Sequence, residues 1–205
     1  MGFFSNFFSA SMDDPVDIEP FKIDETKIKG VVSKNTLGTK SNEYRNYLSI
    51  NTKCLRIALS LRQRTMGKAS EITDRSIEEN PIGYYFALVE SNLRKLSNSL
   101  TEIGTVLTLM SVGGSDIDDT MGEALKRASQ IFGVATESGT DTTGLSPEEK
   151  ILAYSETHKI ALEKLQDLHQ AGCQMEMPDR SLRKDCNEML SFLREELETA
   201  KRLFG

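Results

Sequence analysis

The stretch SLRKDCNEMLSFLREELETAKRLF, Ser181 to Phe204, sets Leu182, Cys186, Met189, Leu193, Leu197, Ala200 and Phe204 at steps of three and four. A helix of 3.6 residues per turn brings those positions onto one face and leaves the charged residues on the other. That is the spacing of a bundle or coiled-coil helix. Such a stripe cannot bury itself alone, so it predicts further helices of matching pattern.

Moving toward the N-terminus, those helices are found. Ser146-Pro147-Glu148-Glu149 is a helix start: Ser caps, Pro takes the first helical position and Glu149 completes a capping box. The helix it opens carries Ile151, Tyr154, Ala161, Leu162, Leu165 and Leu168 and is expected to end near Gly172, before Pro178. Thr136–Gly144, rich in Gly, Thr, Ser and Asp, reads as an exposed loop. Before it, Ser115 and three early acids (Asp116, Asp118, Asp119) predict a helix with Ile117, Met121, Leu125, Ala128 and Ile131 or Phe132 on its apolar stripe, closed by Gly133. A long helix is expected from about Ile82 through Tyr85, Phe86, Val89, Leu93, Leu96, Leu100, Ile103, Leu107 and Met110 to Gly113-Gly114. Gly67 to Asn80-Pro81 reads as a break. Another helix, about 41–66, has Tyr44, Tyr47, Leu48, Cys54, Leu55, Ala58 and Leu61 on its apolar side and Arg45, Lys53, Arg56 and Arg64 opposite. Residues 21–40 show no clear period, so they are expected to be extended or loosely ordered, with room for a short strand around Ile28 to Val32.

The fold class predicted is all-α: four or five helices in a bundle or an elongated antiparallel arrangement, with an extended N-terminal arm. The division is a Phe-rich segment at 1–12, an acidic then basic arm at 13–40, and a helical domain at 41–205. With 205 residues the chain suffices for one sizeable domain. It has no run approaching the ~20 apolar residues of a membrane span, and its N-terminus lacks the basic residue and apolar length of a secretory signal. Three cysteines (Cys54, Cys173, Cys186) at uninformative spacing suggest reduced thiols in a cytosolic-type compartment.

Two features point to function. Phe3, Phe4, Phe7 and Phe8 would share an arc of roughly 140° on a helix, with Ser5, Asn6 and Ser9 opposite. Four rings of ~150–250 Å² each call for a lipid surface, a partner's groove or the chain's own core. The second feature is charge placement. Thr26 to Lys68 holds ten basic residues against Glu43 alone, inside a chain of net charge −6. Such a segment meets phosphates, anionic headgroups or the chain's own acidic helices. Arg45, Lys53, Arg56, Arg64 and Lys68 are the candidate anion contacts. The acids Asp13, Asp14, Asp17 and Glu19 work against binding to anionic lipid.

Chemistry-bearing motifs are weaker. Asp116-Ile117-Asp118-Asp119-Thr120 has the Asp-x-Asp-x-Thr spacing of haloacid-dehalogenase-type phosphatases, but that mechanism needs a parallel strand and Mg²⁺, and an acidic helix start explains the same residues. Met121 stands where a calcium loop requires Gly. His158, His169 and Cys173 fall on one helical face, yet zinc needs a fourth ligand and closer histidines, so they read as bundle-seam residues. Gly2 does not complete a myristoylation motif, since Asn6 occupies the Ser/Thr position. Nothing calls for a cofactor or metal, and the chain is expected not to be an enzyme.

Residues 96–132 resemble BAR-type domains, the curved helical dimers that coat membranes. Leu100, Glu102, Ile103-Gly104 and Leu107, then Gly122-Glu123-Ala124-Leu125, Ala128 and Ile131, follow the phrasing of such domains within and after their first long helix. Glu195-Glu196-Leu197 with Ala200-Lys201 resembles their last helix. The resemblance implies a dimer that inserts an amphipathic N-terminal helix as a wedge, which Phe3, Phe4, Phe7 and Phe8 suit. The reading is therefore a non-enzymatic, cytoplasmic, peripheral membrane scaffold, dimeric, with the Phe cluster in the acyl boundary and the basic face on headgroups. The alternative is a soluble helical adaptor whose Phe-rich segment docks into a partner protein's groove. A third outcome folds the arm onto its own bundle. Nucleic acid is not expected, because the basic face lacks interleaved aromatics.

Overall fold

The stripe on Ser181–Phe204 finds its partners as predicted. A computed structural model of the chain describes residues 16, 18–38, 41–66, 80–111 and 140–205. Five helices lie within them: α1 (Glu25–Leu37), α2 (Asn42–Met66), α3 (Pro81–Ser111), α4 (Pro147–Gln174) and α5 (Arg180–Phe204). Among the described residues there is no strand. The fold is an all-α bundle, and the helix expected at 115–133, with Asp116–Thr120, lies outside the described residues.

Helices α2 to α5 run up, down, up and down around one core. At one end Tyr47, early in α2, packs edge-on to Phe204 at the close of α5, with ring centroids 5.6 Å apart. His158, in the first half of α4, meets the same Phe204 ring at 5.3 Å. At the other end Arg64, late in α2, bonds Ser181 and Asp185 at the start of α5. There too, Tyr85 of α3 donates its hydroxyl to the Leu168 carbonyl late in α4, 3.0 Å away. Every α5 position of the predicted stripe is buried. A Leu or Phe side chain so buried contributes roughly 1.5–3 kcal/mol over an exposed one, and the seven together hold α5 against the rest.

Local chemistry sets the helix starts. Ser146 caps α4 with Pro147 next, and Ser146 and Glu149 exchange side-chain and backbone hydrogen bonds in a complete capping box. Asn80 accepts from the Gly83 N–H at 2.9 Å and donates to the Thr65 carbonyl at 2.8 Å. The Asn80-Pro81 pair thus starts α3 and ties it to the end of α2. Gly172 is needed at the crossing of α3, α4 and α5, where a Cβ would meet the Tyr85 hydroxyl and Leu190.

One expectation is corrected. Residues 25–37 are neither extended nor a strand but helix α1, capped by Asp24, whose carboxylate accepts from the Thr26 N–H at 3.0 Å. Ile28 and Val32, four residues apart, are fully buried. Around them α1 packs on α3, α4 and α5. This part of the assigned arm is a fifth element of the bundle.

Candidate functional site

The basic side of α2 forms as the spacing predicts. Arg45, Lys53, Arg56 and Arg64 are all exposed, while Tyr44, Tyr47, Cys54, Ala58 and Leu61 are buried opposite them. Lys68 lies outside the described residues. The face is not purely cationic, because α5 answers it along the shared seam. Arg64 pairs with Asp185, and Arg56 lines a shallow groove with Ile57, Ser60, Leu61, Asp185 and Glu188. The Lys53 ammonium sits 5.6 Å from the Phe192 ring centre. On the neighbouring seam Arg62 and Arg94 each lie 2.8 Å from the buried carboxylate of Glu90. Burial pushes that carboxyl up, and the two guanidiniums outweigh it and hold it below its ordinary value. Part of the positive segment therefore meets the chain's own acids, and Arg45, Lys53 and Arg56 remain turned outward.

Phe3, Phe4, Phe7 and Phe8 lie outside the described residues, as do Gly2 and the acids Asp13, Asp14 and Asp17. The chain that follows them is seated on the bundle. Ile18 and Phe21 pack on the core and Ile23 is buried in it. Gln166 of α4 accepts from the Phe21 N–H at 2.8 Å and donates to the Phe21 carbonyl at 3.3 Å. From α5, the Lys201 ammonium lies 5.7 Å from the Phe21 ring centre. The Asp24 N–H donates to the Phe204 carbonyl at 2.7 Å. Residues 18–24 thus bridge α4 and α5 just ahead of α1.

The bundle interior holds a polar centre. The Leu96 carbonyl, an acceptor only, lies 3.2 Å from His158 Nδ1, so that nitrogen carries the proton and Nε2 accepts from the Tyr47 hydroxyl 3.2 Å away. Ser99 Oγ stands 3.0 Å from the same Nδ1. Burial pushes His158 down to about 3, against the pull of the Leu96 carbonyl. It is a neutral seam residue, as its position predicts. His169 is also buried, with the Cys173 sulfur 3.8 Å from its Nδ1. Among the described residues no group of three His, Cys, Asp or Glu is placed to hold a metal. One turn along α2 from Tyr47, Asn51 donates to Glu196 Oε1 at 2.7 Å and to the Leu93 carbonyl at 3.2 Å. Glu196 is fully buried and its Oε2 has no hydrogen-bond partner. Burial raises its carboxyl to about 8, with the Asn51 bond opposing the rise. The centre is sealed from solvent, so its chemistry is internal to the fold.

Comparison with protein-family models, with curated proteins and with solved structures gave no significant match to the chain. Function must therefore be argued from the residues. Sequence reasoning missed Gln166, Glu90 and the burial of Glu196. For Glu196 a signal existed, since strict alternation of four and three from Leu182 passes through Leu193 to Glu196 and Ala200. For Gln166 there was none, because its partner is a backbone group 145 positions away.

Proposed function

We propose that this chain is a non-enzymatic scaffold that attaches peripherally to a membrane, with Phe3, Phe4, Phe7 and Phe8 entering the acyl boundary. The observation that carries the reading is how fully the described bundle uses its own apolar residues. Its core is continuous from Ile23 to Phe204, and the described large apolar residues most open to solvent, Val16, Leu37, Met110, Leu152 and Ile160, are divided among three helices and the segment ahead of α1. Single exposed apolar residues are ordinary, whereas four clustered phenylalanines favour an apolar surface. The seat of residues 18–24 beside α5 and the outward Lys53 and Arg56 on the α2–α5 seam flank the same helix, so one surface lying along α5 reaches both. Among the described residues no helix is long and apolar enough to cross a membrane, which suits surface attachment. A BAR-type dimer at a cytoplasmic membrane face belongs to this reading, and the three free cysteines accord with a reducing compartment.

The second reading, docking of the Phe segment into a protein groove, gains from Asp185 and Glu188. They place negative charge within the basic face and weaken its attraction for anionic lipid. Vesicle flotation separates the two. The full chain is expected to float better with small vesicles than with large ones, and replacing Phe3, Phe4, Phe7 and Phe8 with Ser to abolish flotation with both. Flotation unchanged by the replacement would defeat the wedge. A wild-type chain that floats with neither anionic nor neutral vesicles would leave the protein groove as the reading.

A further inference from the structure

We propose that Cys173 and Cys186 form a reversible redox pair across the seam of α4 and α5. A hydroperoxide oxidises the half-buried Cys173 thiol, and Cys186 closes it as a disulfide. The inference goes beyond the membrane reading and is independent of it.

Three observations bring these thiols together. The Cys173 sulfur lies 3.8 Å from Nδ1 of the buried His169, so it stands on the side of α4 that is turned into the bundle. One residue earlier, Gly172 runs so close to α5 that a Cβ there would meet Leu190 and the Tyr85 hydroxyl. Cys186 is one turn before Leu190 on the same buried face of α5. Finally, the two groups act on each other: burial pushes the Cys186 thiol up to about 12, Arg183 opposes the rise and Cys173 adds to it. Cys54 is differently placed. It is fully buried in α2 and donates to the Met189 carbonyl at 3.6 Å.

Exposure sets the order of events. Oxidants attack a thiol that solvent reaches, and of the three cysteines Cys173 alone is not fully buried. The hydroperoxide gives one oxygen to the Cys173 sulfur, its O–O bond breaks, and the remainder leaves as water or an alcohol. The Cys186 sulfur then bonds to the Cys173 sulfur, and the sulfenic hydroxyl departs with the Cys186 proton as water. Two electrons have passed from the thiol pair to the peroxide. A small thiol attacking the Cys173 sulfur releases Cys186, and a second one frees Cys173. The link closes the short connection through Met175 and Pro178, next to the end of the bundle where Arg64 bonds Ser181 and Asp185.

The test treats the folded full-length chain with hydrogen peroxide, stops the reaction with catalase and blocks the remaining thiols with N-ethylmaleimide as the chain is unfolded. Digested peptides are then identified by mass, with and without dithiothreitol. One linked pair is expected, Cys173 with Cys186 within a single chain, released by dithiothreitol, with Cys54 alkylated. Cys173 carried on to the sulfinic acid while Cys186 stays a thiol overturns the pairing. So does a disulfide that includes Cys54 or joins two chains, and so do three thiols left unreacted. The linked chain is expected to melt roughly 5–10 °C higher than the reduced one. A lower melting temperature would mean that the helices must move apart from their packing to make the bond, and it overturns the placement. Cys173→Ser, at the half-buried position, is expected to slow oxidation of Cys186 roughly tenfold or more. Oxidation of Cys186 at an unchanged rate in that variant counts against Cys173 as the point of entry.

Discussion

Glu196 and His158 are two fully buried titratable groups in one core, shifted in opposite senses, and together they shape the pH dependence of the fold. Glu196 sits at about 8 in the folded chain against an ordinary 4.5. The folded state therefore keeps a proton that the unfolded chain releases. Its stabilising contribution is complete below about pH 4.5 and is lost steadily up to about pH 8. His158 sits at about 3 against 6.5. Its contribution is complete above pH 6.5 and is lost as the pH falls toward 3. Between pH 4.5 and 6.5 the two slopes are equal and opposite, so these groups place the stability maximum there. At pH 7 the retained Glu196 proton alone represents a loss of about 3 kcal/mol relative to acid. Glu196→Gln keeps an acceptor for Asn51 and removes the ionisation. The variant is expected to lose the decline in urea midpoint between pH 6.5 and 8, and to exceed the wild type at pH 8. An unaltered decline would mean that Glu196 is not the group that titrates.

Among the elements, α1 shows where reading the sequence stops working. The helices α2, α3, α4 and α5 were legible because each carries an apolar stripe or a cap strong enough to survive without knowledge of its neighbours. Ser146 and Glu149, and Leu182 to Phe204, are the plainest cases. Helix α1 has neither. Its stripe is two residues, Ile28 and Val32, and Gly30, Val31 and Val32 at its centre have modest helix propensity. Tertiary burial against α3, α4 and α5 decides its state, and those helices begin 44 or more positions beyond its end. The same reason hid Gln166, whose role exists only once residues 18–24 are seated. This gives α1 a direct check. A Cβ added at Gly30 would meet nothing within 4 Å, so Gly30→Ala gains helix propensity at no steric cost. The substitution should stabilise the chain by about 1 kcal/mol, read as a higher urea midpoint with an unchanged slope. A neutral or destabilising result would argue for the extended conformation that the sequence suggests.

At the scale of the whole molecule, the question is whether the α2 face acts as a positive surface or as one half of an internal charge match. Sequence placed the cations on one side of α2 correctly, since helical spacing alone fixes that side. The acids opposite them were illegible, because Asp185 and Glu188 stand more than a hundred residues away and α5 meets α2 only in the folded bundle. The Arg64–Asp185 pair is partly exposed on both sides, with relative accessibilities of 40% and 35%. Such pairs contribute at most about 1 kcal/mol to stability, so Asp185→Asn should leave the fold intact while adding one unit of positive charge at the seam. A charge near an anionic bilayer is worth about 1 kcal/mol. If the seam rests on headgroups, the variant should therefore bind anionic vesicles roughly fivefold more tightly and neutral vesicles no differently. Raising the salt should erase the gain, as screening shortens the reach of exposed charge. Equal binding of wild type and variant to anionic vesicles would remove α2 from the contact. Attachment would then rest on the four phenylalanines, and the cations of α2 would serve to hold α5 and α3 in place.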